Sequence, residues 1–317
     1  MDMYQKRKIR AEKKNNNQEE KLTKVGINWF PGHMAKTRKQ IIEDLKLVDV
    51  VIELLDARIP RSSQNPEIRQ ILNGKKKIIV LNKSDLSDEK CNNEWIEYFI
   101  KNGDRAVLVD SNTGRGTVDV IKQIQIVMEE ELKRLADKGR IGRKIRVMIV
   151  GIPNVGKSSF INRIVKKNTA EVGNRPGVTK SKQWIRVNDQ IELMDTPGVL
   201  WPKFESEEVA LNLAFTGSIK DDILEIVEIG YNLTKFLIEN YRERLIARYS
   251  LDEIKINNIL NQNQEENQNI YEIMQLIGRR RGALISGGNV DDEKTSKIIL
   301  DDLRSGRFGK ITLERAL

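Results

Sequence analysis

The chain of 317 residues holds one cysteine and one histidine. A lone Cys91 excludes an internal disulfide and fits a reducing compartment. With only His33 beside it, there are too few ligands for a structural zinc site. Aromatic residues make up 5%, so stacking platforms for single-stranded nucleic acid are not favoured. No apolar run approaches the roughly 18 residues that cross a bilayer. The opening MDMYQKRKIRAEKKNNNQEEK has no apolar segment to act as a secretory signal. It is also too acidic and too poor in serine for a transit peptide. A cytoplasmic setting is expected, with an organellar one left open.

What is abundant is charge. Charged residues make up 32%, and the net charge is +9. A polyanionic partner and plain solubility both fit this excess. If the partner is nucleic acid, phosphate and shape contacts are the expected mode. Residues 1–24 are polar and Lys/Arg-rich, and are expected to form a basic flexible arm.

The length suggests two domains. VDVVIELLDAR (48–58), KKIIVLNKSDL (76–86) and RAVLVDSNTG (105–114) are nearly continuous apolar runs, as in buried parallel strands. Helices are expected at 35–47, 88–101 and 117–136. KIRVMIVGIPNVGKSSFINRI (144–164) reads as strand, glycine loop and helix. WIRVNDQIELMDTPG (184–198) reads as two antiparallel strands around Asn188-Asp189. This alternation indicates an α/β domain over 25–202. Beyond it strand signals stop, and helices are expected at 207–215, 223–249, 270–278 and 295–304. Residues 257–269 read as a solvated connector or a poor helix. A small all-α domain is therefore expected over 203–317.

Gly151-Ile152-Pro153-Asn154-Val155-Gly156-Lys157-Ser158 has the G-x-x-x-x-G-K-[ST] spacing. Its glycines let backbone amides, including those of Asn154, Val155, Gly156 and Ser159, curl round phosphate at a helix N-terminus. Lys157 is expected on the β and γ phosphates and Ser158 on Mg²⁺. Asn82-Lys83-Ser84-Asp85 follows a strand. A carboxylate at Asp85 can accept from both N1–H and the 2-amino group of guanine, a pair adenine lacks. Asn82 is expected to bond the base and neighbouring loops, and Lys83 to pack on the base face. Ser111-Asn112 would bring a backbone N–H to the guanine oxygen. Asp195-Thr196-Pro197-Gly198 closes the last strand. Asp195 would hold Mg²⁺ through water, and the Gly198 N–H would meet the γ-phosphate. Thr179, in Arg175-Pro176-Gly177-Val178-Thr179, would add a hydroxyl to Mg²⁺. Each short motif alone also fits a turn.

In Ras-like GTPases the P-loop precedes the guanine motifs. Here Asn82–Asp85 and Ser111-Asn112 come first, which reads as a circular permutation. Many GTPases place a glutamine directly after Asp-x-x-Gly to orient the attacking water. Here that position is Val199, followed by Leu200. An apolar side chain cannot orient water. His33, in Trp29-Phe30-Pro31-Gly32-His33-Met34, is the catalytic candidate for that vacancy. A neutral imidazole accepts from water near pH 7. Packing against Trp29 and Phe30, or contact with RNA phosphate, are the other roles open to it. Asp56 and Arg58 fit an internal ion pair better than catalysis.

The stretches 29–36, Asp56–Pro60, Asn82–Asp85, Gly151–Ser158, Arg175–Thr179, Asp195–Lys203 and Ser286–Gly288 resemble the YlqF/YawG family of circularly permuted GTPases. The resemblance covers nearly everything from about residue 25 on. It implies GTP and GDP as ligands and a late role in assembly of the large ribosomal subunit. It also implies hydrolysis stimulated by that particle, and His33 resembles the family's catalytic histidine. In family members with apolar residues after Asp-x-x-Gly, an Asn at position 154 can help seat K⁺; a plain loop residue is the alternative. Arg279, Arg280 and Arg281 sit beside glycine-rich backbone, and their guanidinium forks suit phosphate oxygens. With the resemblance, rRNA contact is expected there, against a solvated helix end. The chain is expected to act as a monomer.

Two other functions remain open. In one, GTP holds a conformation for binding and hydrolysis is incidental. In the other, the GTPase serves tRNA modification, which the motif order and the lack of a C-terminal cysteine disfavour.

Overall fold

The computed structural model describes residues 34–72, 74–140, 142–168, 184–201, 204–261 and 266–316. They form two compact units. The first runs from Met34 to Trp201 and takes in Phe308 to Ala316; the second is Phe204–Arg307.

The first unit begins with α1 (Met34–Leu45), followed by β1 (Val50–Asp56), α2 (Pro66–Ile71), β2 (Lys76–Asn82) and α3 (Glu89–Lys101). Then come β3 (Arg105–Leu108), α4 (Thr117–Asp137), β4 (Ile145–Val150), α5 (Lys157–Asn168), β5 (Trp184–Arg186) and β6 (Ile191–Asp195). The six strands form one sheet in the order β3-β2-β1-β4-β6-β5. All neighbours are parallel except the β5–β6 pair. The central β1 is buried along its whole length. A strand covered on both faces has no reason to alternate polar and apolar residues, and VVIELLD does not. Ile41, Leu45, Val51, Ile68, Met148 and Val199 form one core cluster. Leu55, Ile79, Leu81, Trp95 and Phe99 form another.

The α/β unit differs from the expected elements in three places. β1, β2 and β3 are shorter than their apolar runs, because their last residues turn into the loops that carry the site. Helix α2 lies where no element is expected; Asn65 caps it and Pro66 opens it. The third difference is in the tail. From Phe308 onward the chain packs on the α/β unit rather than with the helices, unlike the expected span 203–317. Phe308, Ile311 and Leu313 are buried there. The Ile311 and Leu313 N–H groups donate to the carbonyls of Leu86 and Arg58, both at 2.8 Å. The Glu314 carboxylate accepts from the Ser62 N–H at 3.0 Å, the Ser62 hydroxyl at 2.6 Å and the Arg61 N–H.

The second unit comprises α6 (Glu207–Phe215), α7 (Ile226–Tyr249, bent at Tyr241), α8 (Glu253–Asn261), α9 (Glu266–Arg280) and α10 (Asp292–Arg304). Arg248 on α7 grips Asp302 on α10 through two bonds of 2.9 Å. Helix α8 occupies part of the stretch expected as a connector, and buried Ile256 and Ile259 anchor it. No helix among the described residues is long and apolar enough to cross a membrane.

Candidate functional site

The loops after β2, β4 and β6 meet beyond the carboxyl ends of the parallel strands, where α/β sheets bind ligands. They bound a cleft of about 770 Å³. Asn154, Gly156, Lys157, Ser158 and Ser159 line it from the P-loop side. Lys83 lines it from the Asn82 loop, and Asp195 and Gly198 from the end of β6. A smaller adjoining cavity of about 290 Å³ is bounded by Ser111, Asn112, Ser159 and Arg163. The residues expected from four separate motifs are thus brought together.

Their local geometry follows from the sequence. Gly156 has φ of +97°, and a Cβ there would lie 2.4 Å from the Asn82 amide nitrogen. Only glycine lets the P-loop pass so close to the Asn82 loop. That amide nitrogen donates to the Val155 carbonyl at 2.9 Å. The Asn82 side-chain oxygen accepts from the Ser111 hydroxyl at 2.6 Å and, more weakly, from its N–H at 3.3 Å. Asn82 therefore ties three loops together, and Val155 contributes its carbonyl while its side chain is buried. In the Ser111-Asn112 loop, expected to bring a backbone N–H to the guanine oxygen, the Asn112 N–H donates to Asp110 at 2.8 Å. Asp85 carries a buried carboxylate oxygen with no hydrogen-bond donor among the described residues. An orphaned acceptor of this kind calls for a ligand donor. Ser84 is buried and its N–H bonds the Val109 carbonyl at 3.2 Å, so it supports the loop from behind.

Lys157 is buried, and its ammonium donates to the Gly151 and Ile152 carbonyls at 3.0 and 2.8 Å. Burial pulls its pKa down to about 8, against a smaller upward pull from Asp195. Burial pushes the Asp195 carboxyl up, and the Lys157 charge partly offsets this. At Gly198 a Cβ would lie 2.8 Å from the Lys157 ammonium and 2.8 Å from the Pro153 nitrogen. The Asp195–Gly198 segment thus lies directly on the P-loop. Val199 and Leu200 are buried in the core. Their side chains are committed to packing, so neither can reach an attacking water.

Asp56 and Arg58 form a pair at 2.8 Å, each about 1% exposed. Burial alone would raise the Asp56 carboxyl, but the charges of Arg58 and Lys83 hold it well below the usual range. Arg279, Arg280 and Arg281 are exposed at the end of α9, beside the turn that carries Gly287 and Gly288. His33, Thr179 and the arm 1–24 lie outside the described residues.

Two supporting residues escaped the sequence. Arg163 donates to the Ser111 carbonyl at 3.0 Å, bracing the Ser111 loop from α5. Asn65 donates to the Val199 carbonyl at 3.1 Å. Asn65-Pro66 is a helix-start signal, but nothing local announces its distant partner.

Ser158 and Asp195 offer one hydroxyl and one carboxylate on facing walls of the cleft. Among the described residues no cluster of three or more His, Cys, Asp or Glu could hold a metal on its own. This donor set fits Mg²⁺, which keeps waters and takes substrate phosphate oxygens instead of a full protein cage.

Fold and cleft together define a P-loop GTPase. A family model described as 50S ribosome-binding GTPase matches residues 146–272. Ribosome biogenesis GTPase A of Bacillus cereus is 46% identical over 288 residues, covering 91% of this chain and 93% of that protein. The Thermotoga maritima protein of the same name is 30% identical over 289 residues, covering 91% and 94%. The crystal structure of GNP-bound YlqF from T. maritima superposes with a TM-score of 0.61 at 27% identity, covering 89% and 98%. The chain belongs to the ribosome biogenesis GTPase A (YlqF) family. It is a ribosome biogenesis GTPase, of a class that binds GTP and GDP and generally uses Mg²⁺.

Proposed function

We propose that this chain hydrolyses GTP to drive or monitor a late step in assembly of the large ribosomal subunit, while contacting rRNA. The observation that carries this is the frame joining base and phosphate determinants. Asn82 holds Val155, and Lys83 holds Asn154, so the loop that carries Asp85 is fastened to the P-loop that carries Lys157. The names of the relatives supply the ribosomal direction.

The α/β unit, in this reading, is a circularly permuted GTPase domain. Its sheet order is continuous although the Asn82 loop precedes the P-loop in the chain. The family match beginning at residue 146 also leaves that loop outside. Asp85 reads guanine, with Ser111 and Asn112 at the guanine oxygen. Lys157 and the P-loop amides hold the phosphates. Ser158, Thr179 and, through water, Asp195 hold Mg²⁺, which neutralises charge on the phosphate oxygens when bound. Asn154 helps seat K⁺.

Burial of Val199 leaves the site without a water-orienting side chain of its own at that position. Turnover alone is therefore slow. His33 supplies the missing group, and the ribosomal particle brings it into play. Arg279, Arg280 and Arg281, exposed together on the helical unit, contact rRNA phosphates. The protein acts as a monomer in the cytoplasm, with residues 1–24 as a basic arm. A mitochondrial relative from Arabidopsis thaliana, 35% identical over 211 residues, keeps an organellar setting open for the family.

The test is GTP hydrolysis with and without large-subunit precursors, wild type beside His33→Ala. The expected result is particle-stimulated turnover that His33→Ala loses while keeping GTP affinity. Unchanged stimulated turnover in the variant would sink the role of His33. Absence of stimulation in the wild type would favour a binding module with incidental hydrolysis. Equal rates in KCl and NaCl at matched ionic strength would remove K⁺. A flat salt response of particle binding would remove the arginine contact.

A further inference from the structure

Asn65 ends the loop that leaves β1. Its side-chain oxygen accepts from the Glu67 and Ile68 N–H groups at 3.0 and 3.2 Å, capping α2. With the oxygen facing two donors, the amide nitrogen must face the other way. There it donates to the Val199 carbonyl at 3.1 Å. Asn65 is 4% exposed, so water does not compete for either bond.

Val199 directly follows Gly198. The segment is fastened at three points. The Thr196 hydroxyl donates to the Ile149 carbonyl at 2.6 Å. The Val199 N–H donates to the Gly151 carbonyl at 3.3 Å. Asn65 makes the third bond, from a loop that holds no phosphate-binding residue. Gly198 has little room, since even a Cβ would collide with Lys157 and Pro153. The Val199 carbonyl is two peptide planes from the Gly198 N–H, so its anchorage sets where that N–H points.

We propose that Asn65 is a positioning residue for the triphosphate state: it holds Val199 so that the Gly198 N–H is aimed at the γ-phosphate. This rests on the GTP reading of the cleft. The cap of a short helix is thereby also a strut of the phosphate-sensing segment.

Two variants separate the strut from the cap. Asn65→Asp keeps the capping oxygen and loses the donor. Asn65→Ser keeps a capping hydroxyl, adds no charge and is too short to span to Val199. Melting temperature, affinity for GDP, affinity for a non-hydrolysable GTP analogue and single-turnover hydrolysis are measured for each. Melting temperature is expected to fall by a few degrees, more for Asn65→Asp, whose second oxygen faces the Val199 carbonyl, while GDP affinity stays near wild type. Analogue affinity and single-turnover rate are expected to fall about tenfold, the size of one lost hydrogen bond. If Asn65→Asp fails to fold, Asn65→Ser decides alone. A wild-type ratio of analogue to GDP affinity in the folded variants overturns the proposal. Equal loss of both affinities overturns it too, because that marks a general support role. If the wild type binds neither nucleotide, the GTP reading falls and takes this inference with it.

Discussion

The Lys83 ammonium donates to the Asn154 carbonyl at 2.7 Å across 71 residues of chain. The same ammonium lies 2.9 Å from the Asp56 carboxylate. One side chain thus links the ends of β1 and β2 to the P-loop after β4. Asp56→Asn would leave the buried Arg58 guanidinium without its counter-charge. Removing one partner of such a pair costs about 3–5 kcal/mol. Urea unfolding of Asp56→Asn should show a loss of that order, and a loss below about 1 kcal/mol would mean that Lys83 and Arg58 do not depend on Asp56.

On the proposed reading Asp85 determines the base. Its orphaned oxygen would accept from guanine; an asparagine amide would instead donate to the 2-carbonyl of xanthine. Asp85→Asn should weaken GTP binding at least about 100-fold and improve binding of xanthosine triphosphate. Competition between the two nucleotides reads the switch directly. Retained preference for GTP would place guanine recognition elsewhere.

If Lys157 holds the phosphates as proposed, nucleotide binding should be sensitive to pH. Its pKa in the free protein is about 8, and phosphate oxygens favour the ammonium. Binding must then raise that pKa and take up a proton. Near pH 8 the uptake should be about half a proton, falling toward zero at pH 6.5. Affinity should weaken as pH rises above 8. Calorimetry in two buffers of different ionisation enthalpy measures the uptake, and none at pH 8 would contradict the assignment.

Glu228 makes the helical unit pH-sensitive in the opposite sense from an ordinary paired carboxylate. Burial, then the charges of Glu225 and Glu207, push its pKa from 4.5 up to about 7. One of its oxygens is buried with no hydrogen-bond partner among the described residues. Its protonated form fits the fold, so stability falls as pH rises from 4.5 to 7 and then levels. Glu228→Gln should match wild type near pH 4 and melt a few degrees higher at pH 8. Equal melting at pH 8 would show that the carboxylate is relieved by solvent.

Much of the cleft was legible because its motifs are short and contiguous. Gly151–Ser158 and Asn82–Asp85 each carry their chemistry within a few residues at the end of an apolar strand. Strand β4 and helix α6 have the bounds expected from periodicity. What escaped lies in pairings between remote segments. Nothing near Asn65 points to Val199, and nothing near Glu314 points to Ser62. Helix α8 escaped for a different reason: its helical spacing, Ile256, Ile259 and Leu260, spans little more than one turn before an Asn/Gln-rich stretch. His33 and Thr179 were read from motif and vacancy, and the described residues do not include them.

The seat around Arg61 and Ser62 is filled by Glu314, 253 and 252 residues later. On a translating ribosome, synthesis at 5–20 residues per second separates the two by tens of seconds. The α/β unit therefore emerges with this seat empty and completes its packing only after the helical unit has been made. Loop closure over such a span is slow to form, so the tail orders the folding of the chain as well as stabilising it.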